Sequence, residues 1–364
     1  SGLFVAAYTV VGGFKAVIWT DVIQTCVLLL GGIICVTVIV YQLPGGLAQI
    51  FSVGVAEHKF AFAELTNGQL SPVSWGFSLS EKTATMMLLL GMTAWLTEYS
   101  SNQNVVQRYC ASTTAREARK AMLVCVGVSI PTWAFFMFLG TSLFVFYQVF
   151  PADAAAEILS GVRKAEQILP YFVIQELPPG ITGLLIAAAL AAAMSSLDSS
   201  INAISTVGIV DLYRRHLVRG RDDRHYLRVA WLIAGGAALI MIGGAIILAR
   251  SETKTLQDTG TILASLLGGG LLGMYLLGFL TRRGDARAVG VGIVATMLFT
   301  AWTVLSSYGM LPDALQFPFD LYYTGLIGNL VMFAVGFGLA SLLPARRRDL
   351  TNLTVWDQDG KALD

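Results

Sequence analysis

The sequence predicts an all-α integral membrane protein, and three observations support that prediction. The 364-residue chain is 55% hydrophobic and only 13% charged, whereas a soluble domain usually carries about 25% charged residues. Its mean hydropathy is +0.68. Its apolar residues are gathered into runs of about 20, the length that crosses the hydrocarbon core of a bilayer. The formal charge is only +1, so no positive field favours nucleic acid and no nucleic-acid partner is expected.

The apolar runs give the predicted elements in order. An opening partial helix ends near Val11, and a short turn with Gly12, Gly13 and Lys15 follows it. Gly268–Gly270 should unwind or bend the sixth span, and the outer loops 151–166 and 171–177 look partly helical. These elements form one polytopic membrane domain over residues 1–348, followed by a short polar tail over residues 349–364. The eight full spans are predicted at residues 17–42, 83–104, 117–149, 180–210, 227–249, 257–280, 286–308 and 321–344.

The charges of the loops predict the orientation. Clusters of basic residues follow the second, fourth, sixth and eighth spans, and the loops on the opposite side are mixed or acidic. Because cytoplasmic loops carry an excess of Lys and Arg, the basic side and the C-terminal tail should be cytoplasmic. The expected location is the plasma membrane, which is the inner membrane if the source is bacterial.

The remaining composition argues against enzymatic or redox chemistry. The four cysteines form no CxxC pair, and the three histidines lie in polar loops. An intramembrane haem, an HExxH zinc site or a serine/histidine protease is therefore hard to build, and no enzyme is predicted.

The chain opens with Ser1 and has no initiator Met, basic n-region or cleavage site. It should therefore not begin with a signal peptide, and we expect this sequence to start part-way through a longer chain.

One polar stripe interrupts the fourth span. After an apolar run, oxygen-bearing side chains recur at helical spacing and define one face of the helix. The stripe consists of Ser195, Asp198, Ser199, Asn202, Ser205 and Thr206. Hydroxyl groups often bond across neighbouring helices, so helix association is one interpretation. A buried carboxylate also needs a positive charge, and no Lys or Arg lies within this membrane region, so a cation site is the favoured interpretation.

Two further acidic residues lie within apolar runs. Asp21 lies about one turn inside the first full span, where the helix dipole alone favours a carboxylate. Glu98 belongs to the polar run 95–103 at the inner end of the second span. That run either lines a solute path or marks the hydrated end of a helix, and the sequence leaves both interpretations open.

In three of its segments, the sequence resembles the sodium/solute symporter family. The resemblance rests on residues 8–24, on residues 177–215 and on the segment Asn102–Arg108, in the order that the family shows. It implies a LeuT-like bundle of two inverted five-helix repeats. This chain would hold part of the fourth core helix, the fifth, the complete second repeat and two further helices, with the first three core helices absent.

The resemblance also implies the site residues. The sodium half-site of the family falls on the Ala192 carbonyl and on the hydroxyl groups of Ser195 and Ser196. The other half would come from the absent first core helix. A second cation site of some members corresponds to Asp21, Asp198 and Ser199, where Asp198 replaces a serine of the family pattern. The resemblance leaves three alternatives open for this site: tighter sodium binding, proton binding, or no such site as in those relatives. Residues that would meet the solute are Trp95, Glu98, Tyr99 and Thr261, and both Trp95 and Thr261 depart from the amides of sugar-transporting members.

The function that the sequence predicts is secondary active transport. Sodium entry, through one or two ions, would drive uptake of a small polar solute such as a sugar, sugar acid, carboxylate or amino acid. The alternatives are a sodium-independent facilitator or channel and a transporter-like sensor module. An intramembrane enzyme that uses Asp21 and Asp198 as a carboxylate pair has no supporting motif.

Overall fold

The structure is a computed structural model. It describes residues 2–249, 260, 263–264, 266–307, 309–344, 350–351 and 353–356, apart from 62, 67–68 and 82. Among these residues the architecture is helical, and a single two-stranded antiparallel hairpin interrupts it. The longer elements are α1 (Gly2–Gln42), α2 (Gly46–Ala56), β1 (Ala63–Thr66), β2 (Gln69–Pro72), α3 (Ala84–Ser101), α4 (Gln103–Cys110), α5 (Ala115–Val149), α6 (Asp153–Leu159), α7 (Ile168–Glu176), α8 (Pro179–Val207), a π-helix (Gly208–Leu217), α9 (Asp223–Ala249), α10 (Leu271–Leu280), α11 (Ala286–Ser307) and α12 (Thr324–Leu342).

Six helices in the described part of the chain are long and apolar enough to cross a membrane. They cover Ile18–Gln42, Ala115–Val149, Pro179–Leu217, Asp223–Ile247, Ala286–Ser307 and Leu321–Leu342. Large apolar side chains such as Leu232, Ile240 and Leu298 are exposed along them, as expected for helices that lipid surrounds. The chain is therefore a multi-pass membrane protein, as predicted.

The predicted turn at Gly12, Gly13 and Lys15 is wrong, because α1 is continuous from Gly2 to Gln42. Glycine weakens an isolated helix by about 1 kcal/mol relative to alanine. Once a helix has formed, however, each further residue adds a backbone hydrogen bond, so helix on both sides can carry the chain through two glycines. This cooperativity accounts for helix continuing through Gly12 and Gly13.

The second predicted span is shorter than expected: it corresponds to α3, which has 18 residues and carries several hydroxyl groups and Glu98. Part of the sixth predicted span lies outside the described residues, and its described C-terminal part is α10, with 10 residues. The unwinding predicted at Gly268–Gly270 is confirmed: these residues form a turn, and Gly270 has a φ of +92°, the left-handed conformation that glycine adopts without strain.

The described chain divides into two compact units, residues 1–60 with 124–254 and residues 61–123 with 255–364. In the first unit, α1 packs along α8, and α9 packs against both helices. A separate apolar core forms where α1, α2, α5 and α7 meet. Its most buried side chains are Ile39, Ile50, Leu143, Phe146 and Phe172.

In the second unit, α11 and α10 both pack on α12, and α3 packs on α10. The contact between α10 and α12 is close at Gly273, where a Cβ would lie 2.3 Å from the Asn329 carbonyl oxygen. The Asn329 side chain accepts a hydrogen bond from the Gly273 N–H at 3.0 Å. A side-chain amide therefore bonds backbone next to the Gly268–Gly270 turn.

The loop between the first two predicted spans, residues 43–82, is more structured than the sequence indicated, since it contains α2 and the β1–β2 hairpin. The helical segments expected in the next outer loop are confirmed as α6 and α7. After α2, the Lys59 ammonium group lies 3.7 Å from the centroid of the Phe144 ring. Burial lowers the pKa of Lys59, and the nearby carboxylate of Glu57 partly opposes that change.

Candidate functional site: a polar seam between two helices

The candidate site lies where α1 and α8 run side by side in opposite directions. Near the start of the seam, Asp21 of α1 contacts Ser195 of α8. Further along α1, Gly31 lies so close to Leu185 that a Cβ on the glycine would come within 2.5 Å of its Cδ2 atom. Residues of α1 at intervals of three or four therefore face α8, the spacing that brings side chains onto one helix face. Along α1 the seam consists of Asp21, Gln24, Leu28, Gly31 and Cys35.

The seam is apolar at one end and polar at the other. Glycine at position 31 permits close approach of the two helices, as small residues commonly do in membrane bundles. At the polar end, the Ser195 hydroxyl group donates a short hydrogen bond to Oδ1 of Asp21. A hydrogen bond to a carboxylate is stronger than one between neutral groups. The two residues that the family resemblance assigns to different cation sites are therefore in direct contact.

Asp198 lies one turn beyond Ser195, and its side chain is fully buried, with 0% exposure. On the same stretch of α8, Ile201 belongs to an apolar cluster with Ala234 and Ala238 of α9. Further on, the Ser205 hydroxyl group bonds the Ala230 carbonyl oxygen at 2.9 Å. Asp198 thus occupies the part of α8 between its contact with α1 and its contacts with α9. An ionised carboxylate there needs a balancing positive charge or a proton.

The other α8 residues predicted for the cation sites differ in burial. Ala192 and Ser199 are half-buried, whereas the Ser196 side chain is exposed within the described residues. The Ser196 carbonyl oxygen accepts a hydrogen bond from Ser200 at 2.9 Å. The structure therefore brings Asp21 and Ser195 together and leaves the Ser196 hydroxyl open on the surface of its unit.

Gln24 is a polar residue of the seam that the sequence interpretation missed. Its side chain is 9% exposed, and its Oε1 atom has no hydrogen-bond partner in the described part of the chain. Gln24 lies one turn after Asp21, so the two side chains share a helix face. Its sequence signal was weak: an amide three residues after Asp21 within an apolar run.

The predicted solute residues lie in the other unit. The rings of Trp95 and Tyr99 on α3 are stacked, with centroids 5.3 Å apart, and Trp95 remains 41% exposed. Oε2 of Glu98 accepts a hydrogen bond from Asn102 at 2.6 Å, where α3 ends and α4 begins. That contact agrees with the alternative in which the polar run marks the end of a helix. Thr261, the fourth predicted solute residue, lies outside the described residues.

The donor set of the seam suits a hard monovalent cation. It offers a carboxylate, a hydroxyl group and a buried amide oxygen that lacks a hydrogen-bond donor. Hard cations prefer oxygen ligands, whereas zinc and copper prefer imidazole and thiolate. In the described residues, no three His, Cys, Asp or Glu side chains cluster in a way that would hold a metal. The residues present therefore fit a sodium ion better than a transition metal.

This fold and seam define a multi-pass helical membrane protein with an oxygen-lined contact inside a helix pair. Residues 1–295 match the model of the sodium:solute symporter family, and the chain belongs to that family. Its LeuT-like fold, predicted from the resemblance, is confirmed.

Two curated relatives are similar over most of this chain. The sodium/sialic acid symporter SiaT of Proteus mirabilis is 29% identical over 94% of this chain and 64% of its own length. The sodium/sialic acid symporter NanT of Aliivibrio fischeri is 30% identical over 92% of this chain and 62% of its own length. This chain thus spans less than two thirds of the length of these relatives.

A solved structure of a sodium-coupled symporter is also similar to this chain. A Na+-coupled sialic acid symporter in a substrate-bound, outward-open state superposes with a TM-score of 0.77 at 28% identity. The match covers 96% of this chain and 67% of that one. The similarity extends over nearly all of the helices described above.

Proposed function

We propose that this protein couples downhill sodium entry to the uptake of a small polar solute by alternating access. The observation that carries the proposal is the oxygen-lined seam of α1 and α8, where Ser195 donates to Asp21 within a membrane-spanning helix pair. Polar groups at such a depth are costly unless they serve an ion, a proton or a partner helix. Named sodium symporters among the relatives support the same function.

Within this proposal, sodium binds to the Ala192 carbonyl and to the hydroxyl groups of Ser195 and Ser196. A second cation, which is either sodium or a proton, is held by Asp21, Asp198 and Ser199. When bound, sodium supplies a positive charge beside the half-buried Asp21 and the buried Asp198. The side chains hold the ion, orient the two helices around it and exclude lipid from the seam.

The energy available is sufficient for uptake. A membrane potential of 100 mV contributes about 2.3 kcal/mol per charge, and a tenfold sodium gradient contributes about 1.4 kcal/mol. One ion could therefore sustain a solute ratio of several hundred, from a total of about 3.7 kcal/mol. For this coupling, the ion must favour one conformation over the other.

The solute is proposed to be a sugar, sugar acid, carboxylate or amino acid. Relatives named for sialic acid, glucose and monocarboxylates support this range. Trp95, Glu98, Tyr99 and Thr261 are proposed to line its path. The exposed Trp95 ring, stacked on the half-buried Tyr99, offers a flat apolar surface for a ring or chain. The membrane is proposed to be the plasma membrane, or the inner membrane in bacteria, with the polar tail in the cytoplasm.

Uptake into proteoliposomes tests the proposal. Labelled sialic acid, glucose, a monocarboxylate and proline are offered with an inward sodium gradient or an equal potassium gradient. At least one solute should accumulate above its external concentration in sodium medium only. Equal uptake in both media would favour a facilitator and contradict the symporter, and solute binding without flux would favour a sensor.

A further inference from the structure

We propose that Gln24 of α1 is a cation ligand, and that its side-chain amide oxygen coordinates the ion held beside Asp21 and Ser195. This inference rests on the proposed function and adds a residue that neither the sequence nor the resemblance assigned. It makes Gln24 a specificity-determining residue, because a neutral carbonyl-type oxygen in the first coordination sphere suits a dehydrated alkali cation.

The first argument is the environment of Gln24. Its side chain is more than nine-tenths buried inside the first unit, although neighbouring residues of the same span, Ile23 and Leu30, are exposed. Its Oε1 atom has no hydrogen-bond partner among the described residues. A buried polar atom that makes no hydrogen bond is costly, so native proteins almost always provide a protein group, a water or an ion for it.

The second argument is the register of the two helices. Asp21 meets Ser195, and Gly31 meets Leu185 and Ala188, so one turn forward along α1 corresponds to one turn back along α8. Gln24 is one turn forward from Asp21. It therefore lies at the level of Ala192, one turn before Ser195 on α8.

The third argument is charge and ligand type. Asp21 offers a carboxylate at this level, and the Ser195 hydroxyl group and the Gln24 amide offer neutral oxygen ligands. One monovalent cation would be coordinated by all three oxygens and would satisfy the Gln24 oxygen. A bound water would also satisfy that oxygen but would not depend on sodium, so the two occupants differ in their response to sodium.

The experiment measures sodium binding to purified Gln24→Met, which has similar volume and no amide. Gln42→Met is the matched control, because Gln42 is on the same helix and is exposed at its end. Melting temperature is followed as sodium chloride replaces choline chloride at constant ionic strength, and the dissociation constant comes from the saturation curve. Neither measurement depends on transport.

We expect Gln24→Met to raise the sodium dissociation constant at least tenfold and Gln42→Met to leave it unchanged. In choline, Gln24→Met should melt at or above the wild-type temperature, since the costly buried oxygen is gone. A dissociation constant within twofold of wild type would overturn the inference, as would an equal loss of melting temperature in sodium and choline, which indicates a structural role.

Two further results keep the test decisive. If Gln24→Met does not fold, Gln24→Glu retains the oxygen and adds a charge, and its sodium dissociation constant should become strongly pH-dependent. A pH profile identical to that of the wild type would overturn the inference. If the wild type itself shows no saturable response to sodium, both the proposed function and the role of Gln24 are contradicted. If Gln24→Met responds to sodium like the wild type, only the role of Gln24 as a ligand is contradicted.

Discussion

Removing the Ser195 hydroxyl group is the sharpest single perturbation of the seam. This group donates directly to Asp21, and in the proposed site it also faces the ion. The bond to Asp21 is present with or without the ion, so the change in sodium affinity comes from the lost contact with the ion, about 1.5–3 kcal/mol for a polar group beside a charge. Since about 1.4 kcal/mol changes an equilibrium tenfold, Ser195→Ala should raise the sodium concentration for half-maximal uptake about 10- to 100-fold.

The assay is initial solute uptake into proteoliposomes over a sodium titration at constant ionic strength. Ser200→Ala is the matched control, because the Ser200 hydroxyl group bonds the Ser196 carbonyl oxygen one turn back on the same helix. Such a local bond contributes little to stability. The control should therefore keep the wild-type sodium dependence within about twofold.

The two variants together separate ion binding from helix packing. If Ser195 only joined α1 to α8, its replacement would lower the melting temperature without moving the sodium titration. An unchanged sodium concentration at half-maximal uptake in Ser195→Ala would refute the assignment of this hydroxyl group to the ion.

Three other predictions concern different parts of the chain. Asp198→Asn should change the number of coupled ions or the pH profile of uptake, measured from the Hill coefficient and from uptake between pH 5 and pH 8, and unaltered values of both would make Asp198 structural. Gly273→Ala should destabilise the protein by about 1–3 kcal/mol because its Cβ meets the α12 backbone. Gly278→Ala, in the same helix with open space around it, should melt at or above the wild-type temperature. The lowered pKa of Lys59 means that the folded state binds fewer protons there than the unfolded state, so stability should rise with pH between that lowered pKa and 10.5. Lys59→Met should flatten that rise in thermal melts, and an equal rise in the variant would exclude Lys59 as its source.

The sequence predicted the membrane fold well because its main signal is local. A run of apolar residues determines a membrane span without reference to the rest of the chain, and six of the eight predicted spans are present in the described residues. The turn at Gly268–Gly270 was equally local, since consecutive glycines leave a helix weakly specified. The continuous helix through Gly12 and Gly13 shows the limit of the same reasoning: helix formed on both sides outweighs the low helix propensity of two glycines.

The site depended on information that lies far apart in the sequence. Asp21 and Ser195 are separated by 174 positions, and no periodicity within either helix indicates that they meet. The family resemblance placed them in neighbouring sites, and the structure joins them directly. Gln24 was missed because an isolated amide in an apolar run does not reveal its burial, which depends on how α1 packs against helices far away in the sequence.

The coupling itself is tested most directly by reversing the usual driving force. Proteoliposomes with equal sodium on both sides receive an inward gradient of the transported solute, and entry of radioactive sodium is measured at zero membrane potential. If the two fluxes share one conformational cycle, the solute gradient alone must drive net sodium entry in a fixed ratio. Solute entry without net sodium entry would contradict sodium coupling in this protein.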